Sequence, residues 1–375
     1  YECFSSITDT SDEFRSKLLQ PLLIQRVSGT EGAAQAKQHI ISKLRSTNMW
    51  NIDLDTFDAM TPDGKVEFTN IIATLDSTAT RRLVLACHYD SKKLPNFIAA
   101  TDSAVPCAIL LDIALSLQQQ LNDLKGNKGN PTLQLMFFDG EEAVRSWTST
   151  DSLYGSRHLA TKMRNTNVEG QQNINQIDAI DMFVLLDLIG HKDVQFTNFF
   201  NRTTGKYYNR LRNIGCISSV IQNGVTQDDH IPFLNYDVPI LHLISVPFPP
   251  TWHRADDNEA NLDFPSITHI RNIMKVFVIE YLHLKQQTYV KLSVLKPNRK
   301  KFIGRISNDI LGTMKSAGQL RHGSFGVSSK PQKYKADSSI HVLGIHNSDF
   351  VLRRIGVDNV KILVIEITIN NKNFI

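Results

Sequence analysis

Several acidic words in this sequence sit where chemistry is done. Asp139-Gly140-Glu141-Glu142 follows directly on the apolar run Leu133 to Phe138. Two adjacent carboxylates at a strand end point in different directions, so one can ligate a cation while the other stays free as a base. His88-Tyr89-Asp90 closes the apolar run that begins at Leu83, and Asp187 ends the run Met182 to Leu188. A carboxylate at the end of so apolar a segment must be paired, protonated or metal-bound, because burying it bare is costly. Asp102 lies in Ala100-Thr101-Asp102-Ser103-Ala104, His253 in Pro249-Pro250-Thr251-Trp252-His253, and Asp228-Asp229-His230 forms a further dense cluster just after Gln227. Each has a plain reading when taken singly. The Glu pair fits a solvated turn favoured by a helix dipole, Asp102 fits a helix N-cap, and His253 fits a surface histidine. In combination they form a set of Asp, Glu and His ligands, which suits zinc or a similar borderline cation.

The elements that must position these residues follow from periodicity. Asp9 to Leu44 reads as helical with a break at Val27 to Gly32. Strand-like runs cover Trp50 to Phe57, Phe68 to Leu75 and Leu83 to His88, with Thr61-Pro62-Asp63-Gly64 as the turn between the first two. An amphipathic helix is expected over Asp102 to Leu121, then an exposed turn at Lys125 to Pro131. Leu133 to Phe138, Met182 to Leu188 and Val238 to Ile244 are further buried strands, Tyr154 to Met163 a helix, and Ser266 to Leu284 a long helix closing the body. The expected fold is α/β, a mostly parallel central sheet flanked by helices on both faces. Ligands of such sheets bind beyond the carboxyl ends of the strands. His88, Asp90, Asp139, Glu141, Glu142 and Asp187 all fall at or just after such ends.

Composition narrows the function classes. With 41% hydrophobic and 21% charged residues the chain is an ordinary globular one. It holds no run of ~18 apolar residues that would cross a membrane. The net charge of +4 hides an asymmetry: residues 285–375 hold 16 Lys and Arg against 5 Asp and Glu, a net +11, which leaves −7 for residues 1–284. A uniformly basic surface for nucleic acid is therefore not expected. The chain begins at Tyr1, as it would after removal of a signal segment or in a fragment. Of the four cysteines, Cys3, Cys87, Cys107 and Cys216, none forms a CxxC pair. Cys87 and Cys107 are close enough to close a small loop, and spacing alone leaves a disulfide and two buried thiols equally open. Asn201-Arg202-Thr203 is the single N-glycosylation tripeptide.

The order His88-x-Asp90, Asp102, Glu141-Glu142, Asp187, His253 resembles that of zinc aminopeptidases of the M28 type, which carry a co-catalytic metal pair. The flanking words are more specific. Leu85 to Ser91, Ala100 to Cys107, Phe137 to Ala143, Asp151 to Leu159, Leu185 to Gly190, Gln227 to Leu234 and Pro247 to His253 all look like the animal glutaminyl-peptide cyclotransferases, from about Asp12 to Leu284. The resemblance implies a zinc-aminopeptidase-like fold and conversion of N-terminal glutamine, and more slowly glutamate, of peptides to pyroglutamate with release of ammonia. It implies one zinc per chain held by Asp102, Glu142 and His253, with Glu141 as general acid/base. Asp187 and Asp228 correspond to a pair of acids that share a proton and hold the leaving amide nitrogen. Trp147, Phe248 and Trp252 correspond to aromatic pocket walls, with Gln227 lining the same pocket. By the same resemblance Cys87 and Cys107 form a disulfide, and the protein is a monomer of the secretory pathway or Golgi lumen without a nucleic-acid partner. Residues 1–284 would be the catalytic domain. Residues 285–375 have no counterpart in the family and fit an extra domain, a basic tail or a gene-model artefact.

Departures accompany the match. Phe200 to Asn223 is shorter than in the family and lacks its tyrosine-rich stretch, and Thr226 replaces an aliphatic residue. Two competing readings stay open at this point: a two-zinc aminopeptidase that also uses His88 and Asp187 as ligands, and a non-catalytic peptide receptor.

Overall fold

The computed structural model describes residues 11–124, 131–214 and 226–282, and the backbone of 287–290, 341–345, 348–357 and 360–369. The chain divides into two compact units, Asp9–Leu284 and a second formed by Lys285–Ile375 with Tyr1–Thr8.

The larger unit is built on strands β1 (Asn51–Thr61), β2 (Gly64–Thr74), β3 (Arg82–His88), β4 (Thr132–Phe138), β5 (Ile180–Asp187) and β6 (Ile240–Ile244), in the sheet order β1-β2-β4-β3-β5-β6. The sheet is mixed, which corrects the expectation of a mostly parallel one. β4, β3, β5 and β6 run parallel, but β1 pairs antiparallel with β2, and β2 antiparallel with β4. The cause is the tight turn at Pro62 and Asp63, which leaves Thr61 facing Gly64 with Gly64 at φ +111°. So short a connection joins only antiparallel neighbours, whereas parallel strands need a crossover. The parallel strands are largely apolar because both their faces are covered. Leu83, Leu85, Leu133, Leu135, Val184 and Leu186 feed one core cluster, and the alternating Val84, Ala86, Met136, Phe138, Phe183 and Leu185 feed the other.

Helices complete both layers. α1 (Glu31–Arg45), α2 (Val105–Ser116) and α5 (Phe264–Tyr281) bring Ile40, Leu44, Ile109, Ile113, Ile270 and Phe277 to the first cluster. α3 (Tyr154–Arg164) and the short helix Ile231–Leu234 bring Leu159, Met163 and Phe233 to the second. α4 (Asn201–Ile214) packs beside β6 and α5. α2 is almost wholly buried, and its one charge, Asp112, is answered by Arg271 Nε at 3.0 Å and Lys275 Nζ at 2.7 Å from α5. Removing one member of such a buried network strands the others without partners. Among the described residues no single helix is long and apolar enough to cross a membrane.

The second unit contains a four-stranded antiparallel sheet of β7 (Gln287–Val290), β8 (His341–Ile345), β9 (Ser348–Val357) and β10 (Val360–Ile369), in the order β7-β10-β9-β8. β8 and β10 coincide with the strand-like runs His341 to Ile345 and Val360 to Ile369 of the sequence. The predicted turn over 125–130, residues 215–223, the basic stretch Lys296 to Lys335, and Cys3 and Cys216 lie outside the described residues.

Candidate metal centre and active site

Register brings the candidate residues together. His88 pairs with Phe138, Ala86 with Leu185, and Asp187 with Ile244, so β3, β4, β5 and β6 end side by side. The segments that follow open along one edge of the sheet. After β4 the chain turns through Gly140 at φ +70°, where a Cβ would come within 2.5 Å of Phe68 Cε1. Only glycine satisfies both demands, and the turn delivers Glu141 and Glu142 to the site. Their backbone N–H groups donate to the two carboxylate oxygens of Asp90, at 3.1 and 3.2 Å.

Asp102 arrives from a different direction. It does not cap a helix as its sequence context allowed: α2 begins only at Val105, and Asp102 has non-helical φ −121° and ψ 68°. This irregular turn leaves its carboxylate free to meet two imidazoles. His253 Nε2 lies 3.4 Å from Asp102 Oδ2 and 3.1 Å from Glu142 Oε1, while His88 Nε2 lies 3.1 Å from Asp102 Oδ1. Ligand atoms of Asp102, Glu142 and His253 all fall within 4.8 Å of one another. The donor set fits zinc: carboxylate oxygens and imidazole nitrogen are both zinc ligands, and three protein ligands leave a fourth position open, and the buried Asp102 Oδ2 has no hydrogen-bond donor of its own. Burial disfavours a charged His253, but Asp102 and Glu142 outweigh it and raise the imidazole to about 9. An imidazolium here supplies the positive charge the carboxylates call for, which a divalent cation would supply instead.

Behind this cluster lies a set of buried acids. Burial pushes Glu141 well above the ordinary carboxylate range; His88 opposes this, while the charges of Glu142, Asp228 and Asp229 add to it. Asp187 is raised to about 6, by burial first and then by the charge of Asp228. It accepts a short hydrogen bond from Ser103 Oγ and lies 3.4 Å from His88 Nε2. Asp228 is held from the far side by His242 Nε2 at 2.8 Å. Two further groups meet the geometric requirements for a cation, His88 with Asp102 and Asp187, and Asp228 with His230 and His242.

The aromatic candidates stand at more exposed positions. Trp147 Nε1 donates to Gln227 Oε1 at 2.7 Å. Trp252 stacks on His253 with ring centroids 4.0 Å apart, and Phe248 meets Trp252 edge-on at 5.0 Å. Trp147 and Trp252 are 38% and 40% exposed, so both rings are open to solvent. Cys87 and Cys107 are buried and face each other with their sulfurs 2.9 Å apart, as two thiols.

Sequence reasoning passed over several residues that hold this arrangement. Asp90, read from the sequence only as one of the acids at strand ends, positions the two Glu amides. Asp151 gathers the N–H groups of Val144, Arg145 and Ser146 at 2.9, 3.0 and 3.0 Å and so shapes the loop bearing Trp147. His242 was not singled out, although a lone polar residue inside the apolar run Val238 to Ile244 was a usable signal. Ser103 and Asp257 carried none, because their roles depend on partners distant in sequence.

Comparison with known proteins bears on the same residues. The family model Peptidase family M28 matches residues 70–278. The chain is 48% identical over 293 residues to the glutaminyl-peptide cyclotransferase of Bos taurus, covering 71% of this chain and 81% of that one. It is 46% identical over 295 residues to that of Boiga dendrophila, covering 71% and 80%. Among solved structures it is similar to Macrostomum lignano glutaminyl cyclase, with a TM-score of 0.67 and 36% identity over 73% of this chain and 90% of that one.

Proposed function

The chain belongs to the glutaminyl-peptide cyclotransferase family within the M28 fold, and from that premise we propose how its buried acids divide the work. The protein is a zinc-dependent aminoacyltransferase that converts the N-terminal glutaminyl residue of a peptide to pyroglutamate and releases ammonia. In our reading one zinc per chain is held by Asp102, Glu142 and His253. Bound there, it supplies Lewis-acid polarisation of the substrate's γ-carboxamide carbonyl. Glu141 takes a proton from the α-amino nitrogen as that nitrogen bonds to the carbonyl carbon of the γ-carboxamide. It then returns the proton to the amide nitrogen as the old C–N bond breaks and ammonia leaves. Its raised proton affinity makes it a stronger base than an ordinary carboxylate, which favours the first of these transfers. Asp187 and Asp228 share a proton and receive the leaving amide nitrogen. Ser103 and His242 orient them.

Nucleophile and electrophile belong to one residue, so the site's main task is to impose a cyclic conformation. We assign Trp147, Gln227, Phe248 and Trp252 to that task. N-terminal glutamate would react more slowly because its carboxylate is a poorer electrophile. We further propose that residues 1–284 are the catalytic domain, that the Cys87–Cys107 contact is a disulfide in an oxidising lumen, and that the protein works as a secretory-pathway monomer. Residues 285–375 are assigned no part in the chemistry.

The observation that carries this reading is the convergence of Asp102, Glu142 and His253 in space, with Glu141 held beside them by Asp90. A second reading, a two-metal aminopeptidase, is favoured by the His88, Asp102 and Asp187 cluster. Ammonia release from a short Gln-initiated peptide, with zinc per chain measured on the same sample, separates them. Ammonia with one zinc supports the cyclotransferase mechanism. Two zincs and a cleaved first residue establish the aminopeptidase.

A further inference from the structure

Asp102 and His253 lie on loops remote in sequence, and no shared strand or helix fixes one against the other. Asp257 spans the gap. It belongs to the loop of His253, where its N–H donates to Arg254 O at 2.9 Å, and it is 1% exposed. Its carboxylate accepts the Thr101 N–H at 3.0 and 3.1 Å, and its carbonyl accepts the Ala100 N–H at 3.1 Å. Ala100 and Thr101 immediately precede Asp102. Their N–H groups open the irregular turn before α2, where no side chain of the turn itself provides a cap. Such orphan donors need a partner, and Asp257 supplies it from the opposite loop.

The same turn is gripped from its other side. Arg26, fully buried, donates to the carbonyls of Ile98 at 2.7 Å, Ala99 at 3.1 Å and Tyr89 at 2.8 Å. Tyr89 adjoins Asp90, which holds the Glu141 and Glu142 amides. A continuous run of hydrogen bonds therefore links all three metal-ligating segments, and besides the direct contact of His253 Nε2 with Glu142 Oε1 at 3.1 Å, Asp257 is its connection to the His253 loop among the described hydrogen bonds.

We propose that Asp257 is a positioning residue that locks the Asp102 and His253 loops into one preformed cage and thereby sets zinc affinity without touching the ion. The proposal rests on the ligand set assigned above. Residues that orient ligands in this way typically change metal affinity by about 10- to 100-fold when removed.

The test is the zinc dissociation constant of the full-length chain, measured by competition with a chelator of known affinity. Asp257→Ala is expected to weaken zinc about 10- to 100-fold, with activity lost at limiting zinc and regained as zinc is raised. Asp257→Asn keeps a hydrogen-bond acceptor without the charge and is expected to stay near wild type. Ile273→Val, a truncation in the core of α5, controls for destabilisation alone: it lowers Tm and leaves zinc affinity unchanged. Wild-type affinity in Asp257→Ala overturns the proposal, as does an asparagine variant as weak as the alanine one, since charge rather than position would then be the cause. If the alanine variant does not fold, Asp257→Glu moves the carboxylate by one methylene with its charge kept. Weakened zinc there supports the brace and unchanged zinc overturns it. His253→Ala serves as reference: zinc retained in that variant means the ligand set is wrong, whereas zinc lost there and kept in Asp257→Ala means only the brace is wrong.

Discussion

Replacing Glu141 by glutamine separates the two members of the Glu pair. Glu141 and Glu142 share one anchor, the Asp90 carboxylate, through backbone amides that the substitution does not alter. The Glu142 carboxylate meets His253 at 3.1 Å and Lys92 Nζ at 3.2 Å, so the metal cluster keeps its own contacts. Glu141→Gln should therefore retain zinc. Loss of a positioned proton carrier lowers the rate by about 10² to 10⁴, or about 3 to 5.5 kcal/mol of transition-state stabilisation. Stability should not fall with it. Burial and the charges of Glu142, Asp228 and Asp229 already oppose ionisation of Glu141, so glutamine replaces a side chain that prefers to be neutral. The assay is ammonia release from a Gln-initiated peptide, with zinc content and Tm taken on the same preparation. Activity within tenfold of wild type would remove Glu141 from the mechanism. Loss of zinc together with activity would reverse the roles assigned to the pair.

The remaining expectations concern the ligand, the rim and the pH response. His253→Ala should lose zinc and activity together while far-ultraviolet circular dichroism stays unchanged, because its imidazole joins both carboxylate ligands; metal analysis decides. Trp147→Phe removes the hydrogen bond to Gln227 at 2.7 Å. A rise in KM of about 2- to 10-fold with kcat largely kept is expected from the ~0.5–1.5 kcal/mol such a bond contributes. Asp139 is buried and raised from 3.8 to about 7, first by burial and then by the charge of Asp90. The folded state thus holds a proton that the unfolded chain has already released, and this contribution to stability declines as pH rises from about 4 to about 7. Asp139→Asn has no such proton to lose, so its Tm relative to wild type should climb across that window, by the equivalent of at most about 1.4 kcal/mol per pH unit. A constant difference between the two Tm curves would show that Asp139 ionises normally in the folded protein.

The short apolar runs and the acids at their ends were legible in the sequence. A strand buried on both faces must be apolar throughout, so a carboxylate where it stops is conspicuous, and Asp187 after Val184, Leu185 and Leu186 is the clearest case. Seven flanking words carried the family, and with it the proposal of Asp102, Glu142 and His253 as ligands. What the chain did not disclose is how distant segments meet. The turn at Pro62 and Asp63 sets β1 against β2, but that β2 then pairs antiparallel with β4 is decided by packing rather than by local propensity. Asp102 looks like a helix cap in its own neighbourhood. It becomes a candidate ligand because α2 starts later and because Asp257, 156 residues away in the chain, takes over the N–H of Thr101. Ser103 against Asp187 and Arg26 against the Ala99 turn are of the same kind. Periodicity reports which face of an element is buried, since burial is repeated along it; a single hydrogen bond between loops leaves no repeat, and only the folded chain brings its partners together.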